Sequence, residues 1–177
     1  MKRFSVLLGL ALTLAGSPSV WAMQCPQLMD ASTPYRCTSV VFNDSGASIT
    51  SASVVVWDND DTEYDRSGYP YITTTTTADY DHIAGVMLTP SCPDQSLCQI
   101  VVYGWAKTLV ADSTDAVAED TQVSTSTVSG QAGDWGAGGN TCSLGMLLEA
   151  VNLEGGNVDT NTDSQVMPVF VNPGCED

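Results

Sequence analysis

The chain has 177 residues, a formal net charge of −16 at pH 7 and a hydrophobic fraction of 43%. Its 21 acidic residues outnumber its five lysines and arginines, which excludes binding to nucleic acid or anionic lipid, because both need clusters of basic side chains. The length predicts one domain that buries about 70% of the surface exposed by the unfolded chain.

The first 22 residues have the layout of a secretory signal peptide. Lys2 and Arg3 precede an apolar run from Val6 to Leu14, and small residues stand before the expected cleavage point. The run is shorter than the roughly 20 residues of a membrane-spanning helix. We therefore expect cleavage after Ala22. Residues 23–177 would then form one soluble domain in the periplasm, at the cell surface or outside the cell, without membrane insertion.

Cleavage would make the exported part even more acidic than the whole chain. Removing 22 of the 177 residues leaves 155, with 3 basic and 21 acidic side chains and a formal charge of −18. Such a charge favours solubility, and it also suits divalent cations or a basic protein partner.

All six cysteines lie after the expected cleavage point, and an even number in an exported chain predicts three disulfides. We expect the bonds to join cysteines in sequence order: Cys25 with Cys37, Cys92 with Cys98, and Cys142 with Cys175. A structural zinc site is disfavoured, because the sequence has no C-x-x-C pair and a single histidine, His82.

Segments rich in β-branched and aromatic residues dominate the exported part and predict an all-β fold, a single-domain antiparallel β-sandwich of about seven strands. The predicted strands are Thr38–Phe42, Ala47–Trp57, Tyr69–Thr77, His82–Thr89, Cys98–Ala106, Thr121–Val128 and Gln165–Val171.

Three local patterns refine this prediction. The turn sequence Asn43–Gly46 predicts a hairpin between the first two strands. The segment Gln99–Trp105 is apolar on both faces, which indicates a central, fully buried strand. Pro168 cannot donate a hydrogen bond to a neighbouring strand, so Val166–Val171 is predicted to lie at a sheet edge or to contain a bulge.

One segment, Ser143–Leu153, has a helical spacing of apolar residues. Leu144, Leu147, Leu148 and Val151 fall at positions i, i+3, i+4 and i+7, which predicts a short helix. A buried strand is the alternative, because a glycine such as Gly145 weakens a helix by about 1 kcal/mol relative to alanine.

The stretch WDNDDTEYD, from Trp57 to Asp65, is the first candidate site. Its five acids supply oxygen ligands of the kind that calcium prefers: Asp58, Asp60, Asp61, Glu63 and Asp65. The spacing is not that of an EF-hand, because Glu63 stands where that loop needs glycine. Calcium is thus the one cofactor considered, and a hydrated acidic turn without a metal is the other interpretation.

The glycine-rich sequence GQAGDWGAGGN, residues 130–140, is the second candidate site. It has no lysine to hold a phosphate. Trp135 with nearby Asp134 and Asn140 is typical of sugar-binding surfaces, so these three residues are predicted ligand contacts.

These features together predict a non-enzymatic exported module that binds a partner or has a structural role in the cell envelope or extracellular space. The partner would be a protein or a polysaccharide, and self-association is a further option. One alternative is an acidic inhibitor that sequesters a basic partner. Another is an exported hydrolase that uses acidic residues, although no G-x-S-x-G element or marked carboxylate pair is present, and no catalytic residue is assigned.

The calcium interpretation predicts that excess chelator lowers the melting temperature in low-salt buffer, because five acids repel one another once the cation is removed. Thermal unfolding with and without chelator measures this effect. An unchanged melting temperature would contradict a calcium site at Trp57–Asp65.

Overall fold

The computed structural model describes residue 25 and residues 36–59, 68–77, 80–110, 120–134, 142–149 and 165–175. These residues form eleven strands and no helix, which confirms the all-β prediction. In this part of the chain no helix is long and apolar enough to cross a membrane. The strands are β1 (Arg36–Asn43), β2 (Ile49–Thr50), β3 (Val54–Trp57), β4 (Tyr71–Thr73), β5 (Ile83–Met87), β6 (Ser91–Cys92), β7 (Ser96–Val110), β8 (Gln122–Thr125), β9 (Ala132–Asp134), β10 (Cys142–Leu147) and β11 (Gln165–Cys175).

Five strands close into a barrel in the order β1-β4-β3-β5-β7, because β7 also pairs with β1. The β1–β7 ladder is antiparallel and runs from Arg36 opposite Gly104 to Asn43 opposite Ser96. The β1–β4 pair is parallel, whereas the remaining pairs of the barrel are antiparallel. The strands β2 and β6 form a separate two-stranded sheet.

A second ring shares β7 with the barrel. Its order is β7-β11-β10-β8-β9, and the single pair of Val110 with Ala132 joins β9 back to β7. The first half of β7 therefore belongs to the barrel, and the second half, from Gly104 onward, belongs to the second ring.

Two apolar cores lie on opposite faces of β3, β5 and β7. The barrel core lies inside the barrel and consists of Val41, Ile49, Val55, Ile72, Ala84, Met87, Cys92, Cys98 and Ile100. The inter-ring core joins β3, β5 and β7 to the second ring and consists of Val54, Ile83, Val86, Val101, Val110, Val123, Ala132, Leu144, Leu147, Met167, Val169 and Val171. Neighbouring residues such as Val54 and Val55 thus enter different cores, which explains why β3 is apolar on both faces.

The predicted two-layer sandwich is wrong, since β1, β3, β4, β5 and β7 form a closed barrel. Sandwich and barrel strands share the same alternation of buried and exposed residues. The difference lies in long-range pairing: β1 contacts β7 on one edge and β4 on the other, which closes the ring. The described chain also has more strands than predicted, because several are two to four residues long.

The predicted helix at Ser143–Leu153 is also wrong where the chain is described, because Cys142–Leu147 forms strand β10 between β8 and β11. The β10–β11 register shifts between Ser143 and Gly145. Across this shift β10 advances by two residues and β11 by three, so the extra residue lies in β11. In β10 the regular alternation is interrupted near Gly145, whose φ is +153°, and Leu144 and Leu147 enter the same core although a regular strand would point them to opposite faces. A strand with an irregular alternation therefore reproduced the i, i+3 spacing of a helix. Residues 150–153 lie outside the described part.

The segment Asn43–Gly46 does not form the predicted hairpin, since β1 pairs with β4 and β7 and β2 pairs with β6. The buried Asn43 side chain determines this course. Its Nδ2 donates to the carbonyls of Ala47 (2.8 Å) and Cys92 (2.9 Å), and its Oδ1 accepts from the Ser45 N–H (3.0 Å). The asparagine thus fixes an Asx turn that directs the chain toward β6.

The segment Gln99–Trp105 is central, as predicted, because it lies in β7 with partners on both edges. It is not fully buried, however, since Tyr103 and Trp105 are 37% and 45% exposed.

Of the two options predicted for Val166–Val171, the edge position is wrong, because β11 lies between β7 and β10. The other option, a bulge, is found just beyond this segment, where β11 has an extra residue between Val171 and Gly174. The Pro168 carbonyl accepts a hydrogen bond from the N–H of Leu148, just beyond the end of β10. The N–H and C=O groups of one strand residue point to the same side. A backbone N–H at position 168 would therefore face the end of β10, where pairing stops, so its absence costs no hydrogen bond between strands. The pairing of β11 with β7 is not interrupted at Pro168.

Two of the three predicted disulfides are confirmed. Cys25 is bonded to Cys37 and Cys92 is bonded to Cys98, with Cα–Cα distances of 4.2 and 5.9 Å. Cys142 is also disulfide-bonded, and the register places it directly opposite Cys175 at the last pair of the β10–β11 ladder.

Gly85 permits the close approach of β5 and β7, and its replacement by alanine should be strongly destabilising. Its φ of +149° disfavours other residues, and a Cβ atom would collide with the Val101 carbonyl oxygen. We expect Gly85→Ala to lower the free energy of unfolding by about 3 kcal/mol or more in urea titrations. Gly46→Ala is the matched control, because φ is +73° with open space around it, and it should cost about 1–2 kcal/mol. Equal losses in the two variants would contradict the close approach.

The Cys92–Cys98 disulfide should stabilise the barrel, because it constrains the unfolded chain and both cysteines are buried in the barrel core. The double variant Cys92→Ala with Cys98→Ala should lower the free energy of unfolding by about 2–4 kcal/mol. Ser91→Ala, at an exposed neighbour of Cys92, should change it by less than about 0.5 kcal/mol. A double variant as stable as Ser91→Ala in urea titrations would contradict this role.

Candidate ligand-binding site

Most residues of the two sites predicted from sequence lie outside the described part of the chain: Asp60, Asp61, Glu63, Asp65, Trp135 and Asn140. Asp58 follows β3, is half-buried, and its N–H donates to the Tyr71 carbonyl (3.0 Å). Asp134 is the last residue of β9, where its backbone pairs with Val123. The calcium site and the sugar-binding loop therefore stay predictions. Within the described ranges, no three acids, histidines or cysteines are grouped as a metal site would require.

The single histidine lies at the surface. The Nε2 atom of His82 is 3.7 Å from an Asp81 carboxylate oxygen, and both side chains are about half exposed or more (48% and 61%). The histidine ring also packs edge-on against Tyr80. This arrangement is that of an exposed pair and not of a buried acid–base site.

A cavity of about 460 Å³ lies where the barrel meets the second ring. We call it the strand-junction pocket. Its lining comes from the start of β1, the turn before β3, the end of β5, the middle of β7 and the start of β11. The lining residues are Arg36, Ser51, Ala52, Val86, Met87, Leu88, Val101, Trp105, Ala106, Lys107, Val166 and Pro168.

The pairing of β7 explains why a cavity forms at this place. On one edge β7 pairs with β1 at both Val101 and Gly104. Its other edge is taken by β5 at Ile100 and Val101 and by β11 from Gly104 to Val110. The strands β5 and β11 thus follow one another along the same edge, and neither fills the gap where the edge passes from one to the other.

The turn at Ser51–Ala52 forms a wall of the pocket, and Ala52 is held by three hydrogen bonds. The Ala52 N–H donates to the Met87 carbonyl (2.9 Å), and the Ala52 carbonyl accepts from the Leu109 N–H (2.8 Å) and the Thr108 hydroxyl (3.0 Å). Ala52 has a φ of +68°, which is unfavourable for alanine by about 1–2 kcal/mol. The hydrogen bonds to β5 and β7 therefore hold this wall in a strained conformation.

Apolar side chains and two cations make up nearly all of the pocket lining. Nine of the twelve lining residues are apolar, and the other three are Ser51, Arg36 and Lys107. Beyond the predicted signal peptide the sequence has three basic residues, Arg36, Arg66 and Lys107. Two of those three thus line one cavity, and neither has an acidic partner within 4.0 Å among the described residues.

An exposed apolar stripe adjoins the pocket on the second ring. Met146 of β10, Phe170 of β11 and Trp105 of β7 are directly opposite one another across three adjacent strands. Tyr103 packs edge-on against Phe170, with ring centroids 5.3 Å apart. Trp105 also lines the pocket, so the stripe and the pocket form one continuous apolar surface.

Comparison with known proteins found no matching family model and no curated protein similar in sequence. The candidate site is therefore defined by the geometry of this chain. The sequence did not predict the pocket, because its walls come from segments far apart in the chain. One signal was present, because Lys107 interrupts the apolar strand QIVVYGWAKTLV and is one of very few cations.

Proposed function

We propose that the protein is an exported, non-enzymatic binding module that holds a small ligand with an apolar body in the strand-junction pocket. The observation that carries this proposal is the pocket itself, a largely apolar cavity at the junction of two rings. Its volume of about 460 Å³ lies in the range of roughly 300–1,000 Å³ that is typical of small-molecule sites.

The residues of the lining support ligand binding more than catalysis. The lining contains no carboxylate, imidazole or thiol among its twelve residues. Its apolar side chains would gain about 25 cal/mol for each Å² of apolar surface that a ligand removes from water. The exposed Trp105 and Val166 (45% and 50%) offer such surface at the pocket.

The disulfides support an oxidising location for this function. Two described pairs, Cys25–Cys37 and Cys92–Cys98, are of a kind that persists mainly outside the cytoplasm. The predicted signal peptide agrees with this location. Export remains part of the proposal, and detection of residues 23–177 outside the cytoplasm would test it.

A second candidate function is supported by the formal charge of −16, namely that of an acidic protein that sequesters a basic partner. Charge-driven binding weakens strongly as salt screens the surface, whereas binding of an apolar ligand persists at high ionic strength. Salt dependence of the interaction therefore distinguishes the two functions.

A neutral apolar fluorophore such as N-phenyl-1-naphthylamine should bind the protein and become brighter, because the pocket shields it from water. Ser51→Phe places a large side chain at the pocket wall and should weaken binding at least about tenfold. Thr127→Phe is the matched control, because Thr127 is an exposed turn residue outside the lining and should leave binding unchanged. Absence of binding, or equal binding to both variants, would contradict the proposed function.

A further inference from the structure

We infer that the ligand of the strand-junction pocket is an amphipathic carboxylate, with its anionic head at Arg36 and Lys107 and its apolar tail along the remaining lining. This inference rests on the proposed function and adds the chemical class of the ligand. It follows from three observations about the pocket: two cations line it, neither has an acidic partner among the described residues, and the lining has few other polar groups.

The first observation is the placement of positive charge in a strongly acidic protein. Beyond the predicted signal peptide, three basic residues stand against 21 acids, yet Arg36 and Lys107 line the same cavity. Arg36 lies opposite Gly104, three residues before Lys107, so the two backbones are separated by about 10 Å along β7. Both residues line the cavity, so an anionic group bound in it meets positive charge from two different strands. The pocket is therefore a local positive site on a negative molecule, and its charge complements an anion.

The second observation is that, among the described residues, neither cation has an acidic partner. No acidic side chain of the described residues lies within 4.0 Å of either one, and the lining contains no acid. Arg36 is half-buried beside apolar residues, where less water screens its charge. A guanidinium in such surroundings favours a carboxylate, with which it forms paired charge-assisted hydrogen bonds.

The third observation is the scarcity of other polar groups. Apart from the two cations, the described lining offers two polar side-chain groups, the Ser51 hydroxyl and the indole N–H of Trp105. A ligand with many hydroxyl groups would therefore lose hydrogen bonds to water on entry. Val86, Leu88, Trp105 and Val166 instead offer surface for an alkyl or aryl tail. A cationic ligand would be repelled by Arg36 and Lys107. The lining thus selects a ligand with one negative head and an apolar body.

The inference is tested by calorimetric titration of residues 23–177 with three eight-carbon probes: octanoate, octan-1-ol and octylamine. Octanoate should bind about tenfold tighter than octan-1-ol, because a charge-assisted hydrogen bond is added to the same apolar contact. Octylamine should bind weaker than octan-1-ol. Equal affinities for octanoate and octan-1-ol, or tightest binding of octylamine, would overturn the inference.

Two substitutions test whether the carboxylate of octanoate binds at Arg36 and Lys107. Arg36→Gln and Lys107→Gln should each weaken octanoate binding several-fold and leave octan-1-ol binding unchanged within about twofold. Thr127→Asp is the matched control, because it lowers the net charge by one unit, as each variant does, at an exposed turn outside the lining. It should not change octanoate binding. Loss of octanoate binding in the control as large as in the variants would overturn the assignment to Arg36 and Lys107.

The outcomes separate this inference from the proposed function. Binding of the neutral fluorophore without a preference for octanoate would contradict the carboxylate head and leave the binding module in place. Failure of the fluorophore and of all three eight-carbon probes to bind would contradict both. Melting curves of each variant verify that it is folded. Because the Lys107 side chain is exposed, Lys107→Gln should fold normally and permits the test even where Arg36→Gln is unstable.

Discussion

A single unbroken strand, β7, holds the described structure together, because it supplies an edge to every large assembly of strands. Its 15 residues pair with β1 and β5 in the first half and with β11 and β9 in the second. Residues of β7 enter both apolar cores, Ile100 the barrel core and Val101 the inter-ring core, which explains why the sequence QIVVYGWAKTLV is rich in apolar and aromatic residues. The barrel and the second ring both close on this strand.

The strand-junction pocket is a consequence of the same strand. Two partners, β5 and β11, share one edge of β7, and a gap arises where pairing passes from one to the other. The strained turn at Ser51–Ala52 closes one side of this gap through its hydrogen bonds to Met87, Thr108 and Leu109. Function would thus be located at the transition between two rings, in agreement with the frequent occurrence of ligand sites at junctions between structural units.

Local chemistry allowed part of this structure to be predicted from the sequence. The β-branched runs predicted the all-β fold, and the even number of cysteines led to the sequential pairing seen at Cys25–Cys37 and Cys92–Cys98. The errors arose where tertiary pairing overrides a local pattern. The alternation of β10 is interrupted near Gly145, so Leu144 and Leu147 enter one core with a spacing that is typical of a helix. Pro168 is accepted inside the sheet because its missing donor faces the end of β10. Barrel closure and the pocket depend on segments far apart in sequence, and no local pattern encodes them.

The most direct test of the strand-junction pocket is to map the backbone amides whose NMR signals shift when octanoate is titrated into the ¹⁵N-labelled protein. The largest shifts should fall on Ala52, Leu88, Ala106 and Lys107, which line the pocket from three different segments. Amides of the barrel core, such as those of Val41 and Ile72, should change little. Shifts centred on the barrel core, or no shifts at a saturating concentration, would contradict a binding site at the strand junction.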